Sequence, residues 1–249
     1  MGHDLTSVDH WDSTWSEDVR LRLPSPWLIP TRNLQKLLQG RVQPGERLLE
    51  IGCAPGKILS WVAAELRAQV SGLDYSERGL ATARRLFSAL QLPADFRCED
   101  LRRTTYPAAS FDWVVSYGVI EHFDDPREVV RAHLDLVKEG GTALMTVPNY
   151  RGLYGTLQRY FDADNLQSHN LEIMSCEALA TLVPADKALR VRTYAFGRFS
   201  PWQVSLAKRW PWPVARSVSY AANALALLQP FDMTALCPML VLEVSRSTP

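Results

Sequence analysis

Leu48-Leu49-Glu50-Ile51-Gly52-Cys53-Ala54-Pro55-Gly56 is the stretch that decides the fold of this chain. Residues 47–51 form a short, mostly apolar run, which is typical of a strand buried on both faces. The glycine loop that follows leads into residues 57–66, whose apolar spacing predicts a helix. At Gly52 the missing Cβ lets a ligand lie against the main chain, and the helix that follows offers free N–H groups. The stretch therefore predicts a strand, a ligand-binding turn and a helix.

The spacing of this loop argues against two common nucleotide-binding motifs. A P-loop needs four residues between its glycines and then Lys-Ser or Lys-Thr, whereas three residues separate Gly52 from Gly56, and Ile58 follows Lys57. The dinucleotide fingerprint needs a glycine where this chain has Ala54. A P-loop and an NAD site are therefore both disfavoured.

The composition predicts one α/β domain with an elaboration. The chain has 249 residues, of which 47% are hydrophobic, and these can form one substantial core. Basic and acidic residues both number 27, so the formal net charge is zero and a broad nucleic-acid-binding surface is not expected. The four cysteines are scattered without a CxxC pair, which indicates reduced thiols. With no apolar leader and no run of eighteen apolar residues, we expect a cytoplasmic protein that does not span a membrane.

Three further pieces follow the glycine loop along the chain. A second strand is predicted at residues 69–75, and it contains Asp74. Asp74 comes twenty-two residues after the first glycine of the loop, close to the roughly 20-residue spacing at which an acid binds a ribose. A third strand ends on Asp100. A fourth, at residues 110–118, is rich in β-branched residues and leads into Val119-Ile120-Glu121-His122-Phe123.

Together with the motif Glu50-x-Gly52-x-x-x-Gly56, these pieces resemble the class I S-adenosylmethionine (SAM) dependent methyltransferases over residues 43–149. The phrase at residues 110–123 resembles the small-molecule branch, which includes quinone and natural-product methyltransferases. The Asn/Asp-Pro-Pro-Tyr/Phe box of nucleic-acid methyltransferases is missing there. The resemblance implies an α/β, Rossmann-like, doubly wound sheet of seven mostly parallel strands, with the last strand antiparallel and helical lid insertions. It also implies SAM as cofactor and S-adenosylhomocysteine as product.

The resemblance assigns roles to residues around the predicted cofactor. Asp74 would accept from both ribose hydroxyls, and Tyr75 would stack on the adenine. Helix capping is the alternative role for Asp74, but Ser76 is better placed to cap the next helix. Asp100 would receive the adenine amino group, while Glu99, one residue earlier, leaves the register open. The predicted cofactor-binding residues are Trp15, Glu50, Gly52, Cys53, Ala54, Pro55, Gly56, Asp74, Tyr75, Ser76, Asp100, Leu101, Ser116, Tyr117 and Gly118.

Capping residues predict where the flanking elements begin and end. Thr31 is expected to cap a helix that ends at Gly40. Asp125 is expected to cap another helix, with Pro126 at its first position, and the glycine pair 140–141 is expected to end it. The third and fifth strands are predicted at residues 95–100 and 142–147.

Residues 1–30 are predicted to form an N-terminal arm or lid on the SAM-binding core, which is residues 31–149. Trp11, Trp15 and Trp27 stand among acidic residues, and three prolines prevent a long helix. A segment of this kind closes over the cofactor in many related methyltransferases. An aromatic staple that only fixes the terminus is an equal alternative.

Residues 150–249 are expected to hold the last two strands, at 189–196 and 239–245. Insertions at about 150–188 and 197–238 are assigned to acceptor binding, because loops of such length are usually functional. Residues 187–231 contain seven basic residues and no acidic one, interleaved with tryptophans. Within them, residues 214–228 show an apolar helical pattern that is too short to span a bilayer. This pattern indicates peripheral membrane contact through residues 198–228 or an anionic acceptor, with an ordinary docked helical cap as the alternative.

The predicted reaction moves a methyl group from SAM to a small-molecule acceptor, with a hydroxyl favoured over nitrogen or carbon. A SAM-binding module without catalysis is the second hypothesis. The candidate bases are His122, His169 and Glu121, with His122 first because it follows the fourth strand. His122 could instead order its loop. No metal is expected, because the sequence shows no evident cluster of metal-ligating residues.

Overall fold

The computed structural model of the protein describes residues 4–15, 19–229 and 236–247. Within these ranges seven strands form one sheet in the order β3-β2-β1-β4-β5-β7-β6. Six strands run parallel, and β7 pairs antiparallel with both of its neighbours. The predicted Rossmann-like sheet with an inserted antiparallel last strand is confirmed. The strands are β1 (Arg47–Ile51), β2 (Gln69–Asp74), β3 (Asp95–Cys98), β4 (Phe111–Tyr117), β5 (Val137–Pro148), β6 (Leu189–Phe196) and β7 (Met239–Arg246).

Helices cover both faces of the sheet, so its central strands are buried on both sides. Alternate residues of β1 enter the two cores: Leu48 packs with the helices of one face, and Leu49 packs with those of the other. The helices are α1 (Val8–Thr14), α2 (Ile29–Leu38), α3 (Lys57–Trp61), α4 (Glu77–Leu90), α5 (Arg127–Leu136), α6 (Leu153–Phe161), α7 (Cys176–Ala180) and α8 (Trp212–Ala226). The helix predicted at residues 57–66 continues from α3 as a π-helical turn.

Helices α6 and α8 and the segment between β6 and α8 form a separate small core. Its buried apolar members come from both predicted insertions: Tyr154, Phe161, Val204, Leu206 and Ala215. The Tyr154 hydroxyl bonds to the backbone of Ser200, and Lys208 pairs with Asp162 at 2.6 Å. We call this unit, residues 150–168 and 198–229, the cap. The two insertions thus pack on each other.

Several element boundaries differ from those predicted. Helix α2 begins at Ile29 and not after Thr31, because Pro30 sits in the first turn, where its missing N–H costs no helical bond. Helix α5 begins at Arg127: Pro126 is its cap residue, and the Asp125 carboxylate accepts from the Arg127 N–H at 3.1 Å.

Strand β5 starts directly after α5, so the glycine pair 140–141 lies inside the strand and does not end the helix. A Cβ at Gly141 would lie 2.8 Å from the carbonyl oxygen of Asp112, so the glycine permits close approach of neighbouring backbone. Strand β3 ends at Cys98, two residues earlier than predicted. All four cysteines fall in the described ranges, and none of them forms a disulfide with another.

Candidate functional site

A cleft of about 890 Å³, including its open mouth, lies at the carboxyl ends of the central strands. The chain passes from β1 to β2 on one side and later to β4 on the other, so the cleft occupies the switch point where open α/β sheets bind ligands. Residues at the ends of β1, β2 and β4 contribute Gly52, Asp74, Tyr117 and Gly118 to its lining. The fold therefore brings separate sequence motifs to one place.

The loop after β1 requires its two glycines for different reasons. Gly52 has φ +68°, and a Cβ there would lie 2.6 Å from Cγ2 of Val119. Gly56 has φ +82°, and its Cβ would lie 3.0 Å from that of Ala83 on α4. Both backbone conformations favour glycine. Gly52 keeps the cleft open along the main chain, whereas Gly56 allows the loop to pack against α4.

Asp74 is fixed against this loop by two backbone hydrogen bonds. The Ala54 N–H donates to Oδ2 at 3.0 Å, and the Ser76 N–H donates to Oδ1 at 3.0 Å. The side chain is only 5% exposed. Burial raises the pKa of Asp74, and the backbone N–H groups partly oppose this rise. Ser76 caps α4 as predicted, since its hydroxyl accepts from the Gly79 N–H at 2.9 Å.

Asp100 and Glu99 both line the cleft, but their carboxylates already have partners. Asp100 accepts from the backbone N–H and the guanidinium of Arg102, which hold the pKa of Asp100 below its usual range. The same guanidinium binds both carboxylate oxygens of Asp4, at 2.9 and 3.0 Å. Glu99 accepts from the Thr104 hydroxyl and the Thr105 N–H. The geometry leaves the predicted choice between the two acids open.

Other predicted residues support the cleft from beneath. Glu50 is buried under the loop, and burial together with Asp74 raises its pKa well above the usual range. The Ser116 hydroxyl is engaged by Nε2 of His133 at 3.0 Å. Tyr117 lines the cleft, although its hydroxyl is buried without a hydrogen-bond partner among the described residues.

The N-terminal arm covers the cleft. The Leu5 N–H donates to the carbonyl of His122 at 2.8 Å, and Asp4 forms a β-bridge with Phe123. Helix α1 follows and contributes Trp11 to the lining. Beyond it, Trp15 packs so closely on α4 that a Cβ at Gly79 would lie 2.8 Å from its ring.

Two polar contacts tie the rest of the arm to the core. The Ser76 hydroxyl bonds to the carboxylate of Asp12, and the Lys57 ammonium donates to the carbonyl of Arg22 at 2.9 Å. In the structure the arm therefore forms one wall of the site. Its opening and closing stay a prediction.

Ten of the predicted residues line the cleft, and the others do not. Those in the lining are Trp15, Gly52, Ala54, Asp74, Tyr75, Asp100, Leu101, Tyr117, Gly118 and His122. Those outside it are Glu50, Cys53, Pro55, Gly56, Ser76, Ser116, Glu121 and His169. Sequence reasoning missed Asp4, Thr6, Arg102, Val119 and Phe123. The tryptophan pattern pointed to the arm, but no motif singled out Asp4 or Thr6.

Glu121, His122 and His169 form a compact cluster beside the cleft. One ring nitrogen of each histidine and one oxygen of Glu121 lie within 4.8 Å of one another. The two imidazole centroids are 4.7 Å apart, and the ring of Trp11 lies 5.0 Å from that of His122. Sequence patterns did not indicate this cluster, because 47 positions of sequence separate His122 from His169.

Burial dominates the electrostatics of this cluster. It lowers the pKa of His122 to about 4, helped by the nearby His169, and it also lowers the pKa of His169. It raises the pKa of Glu121 to about 8. Glu121 is fully buried, and neither of its carboxylate oxygens has a hydrogen-bond partner among the described residues.

Comparisons with known proteins point to one family. Residues 49–145 match the model of a family described as a methyltransferase domain. A ubiquinone biosynthesis O-methyltransferase of Chromobacterium violaceum is 32% identical over 158 residues, which are 62% of this chain and 58% of the relative. The protein of the same name from Neisseria meningitidis serogroup C is 37% identical over 42% of this chain and 45% of its own length. This chain thus spans only about half the length of these relatives.

Solved structures share the fold at low sequence identity. The [4+2]-cyclase SpnF has a TM-score of 0.59 at 20% identity, with 88% of this chain and 82% of that chain covered. A Haemonchus contortus phosphoethanolamine N-methyltransferase, in complex with S-adenosyl-L-methionine, has a TM-score of 0.58 at 17% identity, covering 88% of this chain and 52% of its own. The similarity in fold thus covers most of this chain.

Proposed function

We propose that this chain is a class I SAM-dependent methyltransferase and that it transfers a methyl group from SAM to a hydroxyl of a small-molecule acceptor. The match of residues 49–145 to the methyltransferase-domain family supports this proposal. The observation that supports this proposal most is the hydrogen bond from the Ala54 N–H to the Asp74 carboxylate, which joins Asp74 to the glycine loop. This hydrogen bond holds a carboxylate that can bind the ribose of SAM beside the backbone turn at Gly52, which can bind the amino-acid end of SAM. The relatives named as O-methyltransferases support oxygen as the acceptor atom.

The reaction needs alignment more than chemical activation. A lone pair of the acceptor oxygen attacks the methyl carbon, the carbon–sulfur bond breaks, and its electrons remain on sulfur as S-adenosylhomocysteine. The hydroxyl proton leaves to a base. Positive charge on the sulfonium disappears during this step, so a dry cleft favours it. Trp11 and Trp15 of the arm supply apolar cover for this purpose.

His122 is our first candidate for that base. It lines the cleft, and its Nδ1 is engaged by the carbonyl of Ser168 at 2.7 Å. That bond favours the neutral tautomer with the proton on Nδ1, which leaves Nε2 as an acceptor. His169 is the second candidate: it contacts His122 but does not line the cleft.

Calorimetric titration with SAM and S-adenosylhomocysteine tests the proposal. We expect both to bind folded protein in a one-to-one ratio, and the absence of binding by either would refute it. Mass spectrometry after incubation with SAM and hydroxylated quinones, phenols and sugars then detects the methyl product and its acceptor atom. Binding without turnover of any acceptor would favour a non-catalytic module. This outcome deserves a direct test because a fold does not fix a reaction, and one fold neighbour is named a cyclase.

A second proposal concerns how the acceptor arrives. Helix α8 buries its small or polar residues Ala215, Ser219, Asn223 and Ala226, whereas its large apolar side chains face outward. Trp212 is 61% exposed and Leu225 69% exposed. An ordinary docked helix has the reverse arrangement. Among the described residues, most of this apolar surface therefore has no apolar partner.

We propose that this exposed face of α8 contacts an anionic lipid surface, from which a membrane-associated acceptor enters. Trp212 and Tyr220 would lie at the headgroup level, and Arg216, whose guanidinium stacks on both rings, would meet lipid phosphates. None of the described helices is long and apolar enough to cross a bilayer, so the contact would be peripheral.

Sedimentation with vesicles tests this contact. We expect binding to vesicles that contain phosphatidylglycerol, weaker binding to phosphatidylcholine alone, and release by salt. The double variant Trp212→Ser, Leu225→Ser should lose most of the binding. Val191→Ser, at an exposed apolar position on the edge strand β6, is the control and should retain it. Equal sedimentation with all three proteins, or none with the unaltered one, would refute the contact.

A further inference from the structure

The buried cluster beside the cleft has the composition of a cation site. We propose that Glu121, His122 and His169 bind one divalent transition-metal ion such as Zn²⁺. Each imidazole supplies one nitrogen and the carboxylate supplies one oxygen, and these three atoms lie within 4.8 Å of one another. These ligand types suit first-row transition metals, whereas Mg²⁺ and Ca²⁺ prefer sets made of oxygen.

The histidines are held in the manner of metal ligands. Nδ1 of His122 bonds to the carbonyl of Ser168 at 2.7 Å, and Nδ1 of His169 bonds to the carbonyl of Asn165 at 2.7 Å. Each bond favours the tautomer that carries hydrogen on Nδ1 and leaves a lone pair on Nε2. Backbone carbonyls orient ligating histidines in this way in many metal sites.

Glu121 provides an independent indication of a ligand. It is fully buried, and neither carboxylate oxygen has a hydrogen-bond partner among the described residues. An unpartnered buried carboxyl group is costly and uncommon in native structures. A Cβ at Gly118 would lie 3.4 Å from Oε1, so the carboxylate lies against the backbone that lines the cleft. A bound cation would supply the missing partner.

The geometry requires only a small contraction. Ligands about 2.1 Å from a tetrahedral ion stand about 3.4 Å from each other. Starting from separations of at most 4.8 Å, side-chain rotations of Glu121 and His169 can close the difference. Three protein ligands leave a coordination position open, as in catalytic sites.

The consequence for chemistry rests on the proposed function. The ion would bind the acceptor hydroxyl, lower its pKa and release its proton to water, and the resulting oxyanion would attack the methyl carbon of SAM. Nε2 of His122 would then be a ligand and not the base. The cluster would select acceptors whose hydroxyl can reach both the ion and the sulfonium.

Metal binding by the protein alone tests the site. The protein is treated with a chelator, dialysed and titrated with Zn²⁺ by calorimetry and with Co²⁺ by visible absorption. A His3→Ala background is used throughout, because His3 lies outside the described residues and offers another ligand. We expect one ion per chain, with a Co²⁺ spectrum typical of nitrogen and oxygen ligands.

Matched variants locate the ion. Glu121→Gln and His169→Ala should each weaken binding by at least about tenfold, whereas His10→Ala, an exposed histidine outside the cluster, should leave it unchanged. Circular dichroism checks folding, and His169→Ala decides the question if Glu121→Gln does not fold. No stoichiometric binding, or binding that survives both variants, overturns the proposal. The chelator-treated protein is also titrated with SAM. If it binds SAM but no metal ion, the metal site is refuted and the proposed function is not.

Discussion

Replacing Asp74 by asparagine tests the side chain on which the cofactor site depends. The substitution keeps the size of the side chain but removes its charge. One hydrogen bond to a charged group contributes about 1.5–3 kcal/mol. At 1.4 kcal/mol for each factor of ten, the loss of one ribose contact should weaken SAM binding about 10- to 150-fold. If both ribose hydroxyls bind this carboxylate, the loss should lie at the upper end.

The same substitution should also lower the free energy of unfolding, because it disturbs two backbone hydrogen bonds. Both Asp74 oxygens accept backbone N–H groups, from Ala54 and from Ser76. An amide can accept from only one of them and presents its own N–H₂ to the other, which costs about 1–3 kcal/mol. For a chain of this size that corresponds to a fall in Tm of about 2–12 °C. The variant should therefore remain folded at room temperature.

Calorimetry with SAM and a thermal melt measure the two effects separately. Asp112→Asn is the matched control, because the Asp112 carboxylate also accepts a backbone N–H, that of Arg47 at 3.0 Å, but does not line the cleft. We expect the control to change SAM affinity by less than about threefold. A folded Asp74→Asn protein with an affinity within that same range would show that Asp74 only braces the loop.

Two further predictions concern the surroundings of the cleft. Gly79→Ala should weaken SAM binding, because its Cβ would lie 2.6 Å from that of Ala54 in the glycine loop and 2.8 Å from the Trp15 ring. The part of the loss that comes from Trp15, measured by calorimetry, should disappear in a Trp15→Ala background, and purely additive losses would show that Trp15 makes no contribution. Burial lowers the pKa of His133 to about 4, whereas the pKa is about 6.5 in the unfolded chain. The contribution of the neutral imidazole to the free energy of unfolding is therefore complete above pH 6.5, and it falls by up to about 3 kcal/mol as the pH drops to 4. Urea titrations should therefore show a flatter pH dependence for His133→Gln than for the unaltered protein, and equal slopes would contradict this.

Local patterns predicted the cofactor half of the molecule well. The run Leu48–Ile51 and its glycine loop predicted a buried strand and a tight turn, because strand burial and positive φ angles leave direct marks on sequence. The spacing of Asp74 placed it beside that loop, since parallel strands end at the same edge of the sheet. The errors in this half were boundaries. At Thr31 a second local signal, Pro30 in the first turn, sets the start of α2, and at the glycine pair 140–141 close packing against the Asp112 backbone overrode the capping signal.

The cap illustrates a different limit. The apolar spacing of residues 214–228 predicted a helix, and α8 occupies most of that range. Spacing alone could not tell which face is buried, since both faces hold apolar residues. In the structure Ala215 packs into the cap core, while Leu225 points to solvent. Only the positions of α6 and the segment before α8 decide this.

The acceptor side of the site depends on segments far apart in sequence, which is why sequence patterns could name its residues but not assemble them. The turn that carries Glu121 and His122 is fastened on one side by Leu5, whose N–H donates to the His122 carbonyl. On the other side the Asn170 N–H donates to the Glu121 carbonyl at 2.7 Å, next to the Ser168 carbonyl that orients His122. The arm and the segment near residue 170 thus hold the same turn. A movement that lifts the start of the arm from the cleft would break the Leu5 bond, so such a movement would link access of the cofactor to the geometry of the Glu121–His122 cluster.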